Sequence, residues 1–162
     1  MNKNIVYAGL AITVLGLFAW KYVSLNFFGP SDERMIQIAL NDALESSREG
    51  RPGGVLEVLS SQFMVNTEQP GSRQIANIIR NNHPEITILD RSPLISGDKA
   101  RITSPVDVKL AFMGMRYDQK VDNVSLIFER TLAHEWVFVP VKKWRLSQVL
   151  VPDNLTPRSF DP

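Results

Sequence analysis

From Ile5 to Trp20 the chain carries no charge, and after Lys21 the apolar run resumes from Tyr22 to Gly29. A bilayer hydrocarbon core about 30 Å thick is crossed by roughly 20 helical residues, so residues 1–29 are expected to form a transmembrane anchor. Ile5, Leu10 and Leu15 would lie in the hydrocarbon. Lys21 would extend its ammonium to the headgroups, and the rings of Trp20 and Tyr22 would occupy the interfacial belt. The competing reading is a cleaved signal peptide. Neither Ser24-Leu25-Asn26 nor Phe27-Phe28-Gly29 offers a small-x-small cleavage pattern, and no Cys is present for lipid attachment, so the anchor is expected to be retained. Lys3 and the amino terminus lie on one side, with Lys21, Asp32, Glu33 and Arg34 on the other; the bias places the amino terminus in the cytoplasm and the domain outside it.

Beyond the anchor the apolar spacing changes twice. Ser31 followed by Asp32 and Glu33 is a helix start, since carboxylates in a first turn favour the backbone dipole. Ile36, Ala39, Leu40, Ala43 and Leu44 then form one stripe on a helix expected to reach Arg48, with Gly50 as left-handed cap. After the Arg51-Pro52-Gly53-Gly54 turn, Val55, Leu56, Val58, Leu59 and Phe63 outline a second, shorter helix. Ser72 is expected to cap a third, carrying Ile75, Ile78 and Ile79, which must stop at Asn81-Asn82-His83-Pro84.

From Glu85 the period becomes two and β-branched residues dominate. Ile86, Ile88 and Leu94 to Ser96 outline a first strand, Arg101 to Phe112 a second, Tyr117 to Leu132 a third and Trp136 to Val151 a fourth. Pro105 suggests a bulge or an edge, and Met113 to Arg116 a hairpin. Residues 152–162 read as a tail. The fold class is therefore α+β, with a transmembrane helix followed by three helices packed on a curved four-stranded antiparallel sheet. The boundaries are 1–29 for the anchor, 30–151 for the domain and 152–162 for the tail.

Composition narrows the chemistry. With 44% hydrophobic and 22% charged residues the domain can bury a core, and zero Cys excludes thiol nucleophiles, disulfides and cysteine metal sites. Without Lys3 and Lys21 the remainder is close to electroneutral. Basic and acidic residues alternate along it, which argues against a nucleic-acid partner.

Element order, the long strands and the closing segment Val141-Lys142-Lys143-Trp144-Arg145-Leu146-Ser147-Gln148-Val149 resemble the nuclear transport factor 2-like superfamily, the cystatin-like cone that includes SnoaL-like cyclases and ketosteroid isomerases. The resemblance spans Asp32 to Val151. It implies a cone whose mouth lies between helices and sheet, and the isomerase members use a carboxylate with a Tyr and a protonated Asp.

No such set is apparent in this chain. Asp107 and Glu129 alternate with apolar residues and read as solvated, Tyr117 as a rim residue near the hairpin, His83 as a helix-end residue and His134 as part of no metal motif. No catalytic residue, metal site or cofactor is assigned. Phe63, Phe112, Phe128, Trp136, Phe138 and Trp144 read as core, with Trp144 and Leu146 facing the helices. Met113 and Met115 could form the lip for a small apolar ligand. Ala111, Ile127, Val149 and Val151 fall on the opposite sheet face and form a candidate interface, rimmed by Arg101, Asp107, Lys109, Glu129 and Arg145; back-to-back pairing is common in the resembled superfamily. The function expected is a membrane-anchored, non-catalytic binding or scaffolding module of a membrane complex, as a homodimer or with one membrane-complex partner. The alternative is a SnoaL-like or isomerase-type enzyme acting on a small apolar substrate.

Overall fold

The structure, a computed structural model, describes residues 30–112, 115–135 and 139–152. The expected anchor, with Ile5, Leu10, Leu15, Trp20, Lys21 and Tyr22, lies outside the described residues, as does the tail from 153. So do the side chains at 110–117 and 133–141, which include Ala111, Phe112, Met113, Met115, Tyr117, His134, Trp136 and Phe138. Among the described residues no helix is long and apolar enough to cross a membrane. The chain divides into two compact units. Of the second of these, residues 32–131 and 143–152 are described and hold the helices and the core, whereas Leu132–Lys142 belong to the other unit.

Helix α1 (Asp32–Arg48) begins directly after Ser31, with Asp32 and Glu33 in its first turn, and buries Ile36 and Leu40. Gly50 follows at φ 68°. Helix α2 (Pro52–Val58) starts with proline at its first position, where the missing N–H costs nothing. Gly54 lets it approach α1 closely, because a Cβ there would collide with the hydroxyl of Ser46.

Strand β1 (Leu59–Val65) replaces the expected second half of that helix. The spacing of Leu59 and Phe63 suggests helix. The segment is extended instead because it pairs with the last strand, in parallel, with Leu59 opposite Leu146 and Val65 opposite Val149. Helix α3 (Ser72–Asn82) follows; Gly71, rather than Ser72, is its N-cap and supplies no side-chain hydrogen bond. It ends where expected, with His83 in the left-handed conformation at φ 43°.

The expected first strand is two strands, β2 (Glu85–Ile88) and β3 (Leu94–Ser96), both pairing antiparallel with β4 (Lys99–Phe112). β4 pairs with β5 (Met115–Glu135), and β5 neighbours β6 (Val139–Leu150). The sheet is therefore six-stranded and mixed, in the order β1-β6-β5-β4-β2, with β3 beside β4. It is not a four-stranded antiparallel meander. The long-range parallel pairing of β1 leaves no trace in local periodicity.

Pro105 does mark a break in the ladder, but the extra residue sits on the other strand. Ser104 pairs with Val124 and Val106 with Val121, so two steps on β4 face three on β5, and Asn123 takes φ 59° to absorb the difference. One sheet face and α1 enclose the core: Ile36 and Leu40 meet Ile88, Ala100, Ile102, Val106, Val124, Leu126, Phe128 and Trp144.

Candidate functional site: an apolar cavity and a half-buried clasp

The inward residues of helices and sheet leave a cavity of about 440 Å³ between them. Leu40, Ala43 and Leu44 line it from α1, Val55 and Val58 from α2, and Ile75, Ile78 and Ile79 from α3. The sheet contributes Ile86, Val106, Val108, Val121, Val124, Leu126, Phe128, Leu146 and Val149. Ile78 is 44% exposed, so the cavity reaches solvent on the α3 side. One polar side chain lines it, Ser47, and its hydroxyl already donates to the carbonyl of Pro84 at 2.9 Å. No Asp, Glu, His, Lys, Arg or Tyr lines it among the described residues. An apolar cavity of this kind offers water few hydrogen-bond partners and favours apolar groups. Proton transfer needs a titratable side chain within hydrogen-bond reach of the reacting atom, and among the described residues none lines this space.

At one end of the sheet lies a polar arrangement that was not foreseen. The Arg130 guanidinium pairs with Asp32 through Nη2 and with Asp98 through Nη1 at 3.2 Å, and its Cζ lies 4.8 Å from the centre of the Trp144 ring. Trp144 Nε1 donates to Asp32 Oδ1 at 3.1 Å. The backbone N–H of Arg130 also donates to the carbonyl of Asp98 at 2.8 Å. One helix start, one hairpin turn and two strands are thereby held together. Arg130 Nε is buried without a hydrogen-bond partner, so the guanidinium is held by its two terminal nitrogens and its stacking on indole. The signal was present in the sequence: Arg130 shares the parity of Leu126 and Phe128 and so had to point inward.

His83 caps α3 and packs on Gly50, where a Cβ would collide with the imidazole ring. That is a structural role. Asn66, at φ 52°, accepts Gln148 Nε2 on its carbonyl at 2.9 Å and Val151 N–H on its side-chain oxygen at 2.7 Å, tying β1 to the end of β6. The N–H and the hydroxyl of Ser92 hold the Asp90 carboxyl below its ordinary range, in a loop that does not line the cavity. Among the described residues no cluster of His, Asp or Glu could hold a metal ion.

The candidate interface divides. Ile127 pairs with Arg101 on the face opposite the core. Val149 packs against the core, and both Val149 and Val151 line the cavity, so neither belongs to the outer face. Alternation counted outward from Trp144 and Leu146 fails at Val149, where the β1–β6 ladder is also irregular: five steps of β1, Leu59 to Met64, face two of β6, Leu146 to Gln148. Trp144 is buried, with Leu146 packed against the same core, as expected. Asp107 stands between Thr87 and Lys120, Lys109 between Glu85 and Asp118, and Glu129 meets Lys99 at 3.7 Å. These are cross-strand charge pairs on the outer face.

No family model matches the chain, and no curated protein matches it. Solved structures do. A nuclear transport factor 2-like superfamily protein from Salmonella enterica is 14% identical, with 80% of this chain and 96% of that chain covered at a TM-score of 0.54. The CaMKII hub of S. rosetta is 11% identical, with 76% and 97% covered at 0.57. A nuclear transport factor 2-like protein with a cystatin-like fold from Novosphingobium aromaticivorans is 15% identical, with 75% and 82% covered at 0.54. At such identities the likeness concerns the fold alone. The domain is an α+β structure of three helices and a mixed six-stranded sheet, with a nuclear transport factor 2-like fold.

Proposed function

We propose that the chain is a single-pass, membrane-anchored, non-catalytic module that binds an apolar molecule, or the apolar part of one, in the cavity between helices and sheet. The observation that carries this reading is the 440 Å³ cavity, whose lining has no titratable side chain among the described residues. An isomerase-type mechanism would need an inward carboxylate or imidazole, and the described acids near the sheet lie on its outer face or in the Arg130 clasp. The anchor rests on the uncharged run from Ile5 to Trp20 and the interfacial Trp20, Lys21 and Tyr22; with the amino terminus cytoplasmic, the domain lies on the other side of the membrane.

Self-association through the outer sheet face accompanies this reading, with Ile127 as its apolar centre. Neighbours in fold include a hub and an association domain of calcium/calmodulin dependent protein kinase II type. A heterologous partner in a membrane complex would use the same surface.

Fluorescence titration of the full chain in lipid nanodiscs with an uncharged naphthalene dye tests the binding function. Saturable binding above that of empty discs, displaced by decanol, is expected; signal indistinguishable from empty discs would contradict it. Carbonate extraction tests the anchor: full chain in the pellet and a chain lacking residues 1–29 in the supernatant are expected, and extraction of both would remove it.

A further inference from the structure

A second space of about 310 Å³ opens beside the apolar cavity, and Leu59, Phe63, Pro70 and Ile75 line both. Its character is different. Ser60, Ser61, Gln69 and Ser72 supply polar groups, and among the described residues Arg145 is the one charged residue in its lining. Arg145 is half-buried, and Nη1 donates to the carbonyl of Leu59 at 3.3 Å, which holds the side chain at the edge of β1. No carboxylate among the described residues forms an ion pair with Arg145. The neighbouring cation Lys143, by contrast, meets Glu57 at 3.7 Å. The arrangement is thus an apolar chamber that reaches, across a shared lip, a cation whose charge no acidic side chain among the described residues neutralises.

We propose that the ligand is a single-chain amphiphile with a carboxylate head, a free medium-chain fatty acid. This rests on the binding function proposed above and specifies its ligand. The acyl chain fills the apolar cavity, where burial of each methylene is favourable. The carboxylate lies in the adjoining space and accepts charge-assisted hydrogen bonds from the Arg145 guanidinium, whose planar fork matches a carboxylate. Charge complementarity selects an anion over an alcohol or an amine of the same length. The absence of cations in the apolar chamber fixes the direction of insertion, tail inward and head at Arg145.

Photo-crosslinking tests the assignment with the full chain in nanodiscs. A diazirine analogue of decanoic acid and the corresponding diazirine alcohol are compared, and labelled positions are mapped by peptide mass spectrometry. The acid should label residues of the cavity wall such as Val124 and Leu126, and excess decanoic acid should suppress the labelling. The alcohol should need about tenfold higher concentration, the range of one charge-assisted hydrogen bond. Arg145→Gln should bring the acid to the level of the alcohol, and Arg145→Lys should retain much of the preference. Equal labelling of the cavity by acid and alcohol in the unmodified chain would overturn the fatty-acid assignment while leaving apolar binding intact. Labelling of the cavity by neither would overturn both. If Arg145→Gln fails to fold, the acid-to-alcohol comparison in the unmodified chain and in Arg145→Lys decides the matter alone.

Discussion

Trp144 Nε1 donates to Asp32 Oδ1 at 3.1 Å, joining β6 to the first turn of α1 across a separation of 112 residues. The other oxygen of the same carboxylate takes Arg130, whose guanidinium lies over the Trp144 ring. Asp32 therefore serves both as a favourable charge at a helix start and as the acceptor that satisfies two partly buried donors. Asp32→Ala should lower stability by about 1–3 kcal/mol, because it leaves those donors under-satisfied. Thermal melting by circular dichroism reads the change, and a melting temperature equal to that of the unmodified protein would show the clasp to be inert.

Trp144 is 3% exposed and packs within the central cluster. Trp144→Ala should cost about 3–5 kcal/mol. Trp144→Phe, which keeps a ring beneath Arg130 but loses the indole N–H, should cost less, about 1 kcal/mol. Urea denaturation of the two variants separates packing from hydrogen bonding; equal losses would mean that ring size contributes little.

Sequence patterning revealed some parts of this fold and concealed others, for physical reasons. The stripe of Ile36 and Leu40 and the carboxylates of the first turn are local signals, and α1 begins and ends where they place it. The inward face of Trp144 follows from alternation, also a local property. β1 was hidden because its extended form depends on parallel pairing with a strand more than eighty residues away, while the spacing of Leu59 and Phe63 suits a helix. Val149 packs on the core side although alternation from Trp144 and Leu146 puts it outside, and it lies where the β1–β6 ladder is irregular. Of the site, most of the apolar lining was legible as core-type positions, Val149 and Val151 excepted. That these positions enclose a space instead of filling it depends on three-dimensional packing, which no one-dimensional pattern encodes. Arg130 was legible in principle from its parity with Phe128.

Gly50 occupies φ 68° with the His83 ring against its Cα. Gly50→Ala should destabilise by about 1–2 kcal/mol from the left-handed conformation alone, and further through collision with the ring. Pairing it with His83→Ala tests the second part: the double variant should recover some of the loss, and strict additivity of the two would remove the contact from the explanation.

Asn66 links β1 to the end of β6 through its side-chain oxygen and the N–H of Val151. Asn66→Ala removes that acceptor and places a non-glycine residue without a polar side chain at φ 52°, so a loss of about 1–3 kcal/mol is expected. Because Val149 and Val151 line the cavity, hydrogen exchange of the β6 amides should quicken in this variant; unchanged exchange would show that β6 is held without Asn66.

Ile127 is the apolar residue at the centre of the proposed self-association surface, opposite Arg101. Ile127→Lys should convert an associated species to monomer in sedimentation equilibrium at micromolar concentration. A monomer before and after the substitution would exclude homodimerisation.

The binding role of the cavity is tested most directly by methyl NMR of the full chain in nanodiscs, titrated with decanoic acid. The expected result is saturable shifts of Ile79, Val106, Val124 and Leu126, which lie inside, with none at Leu94, which is 79% exposed. Saturable shifts absent from the interior methyls, or no larger there than at Leu94, would contradict the assignment of this cavity as a ligand site.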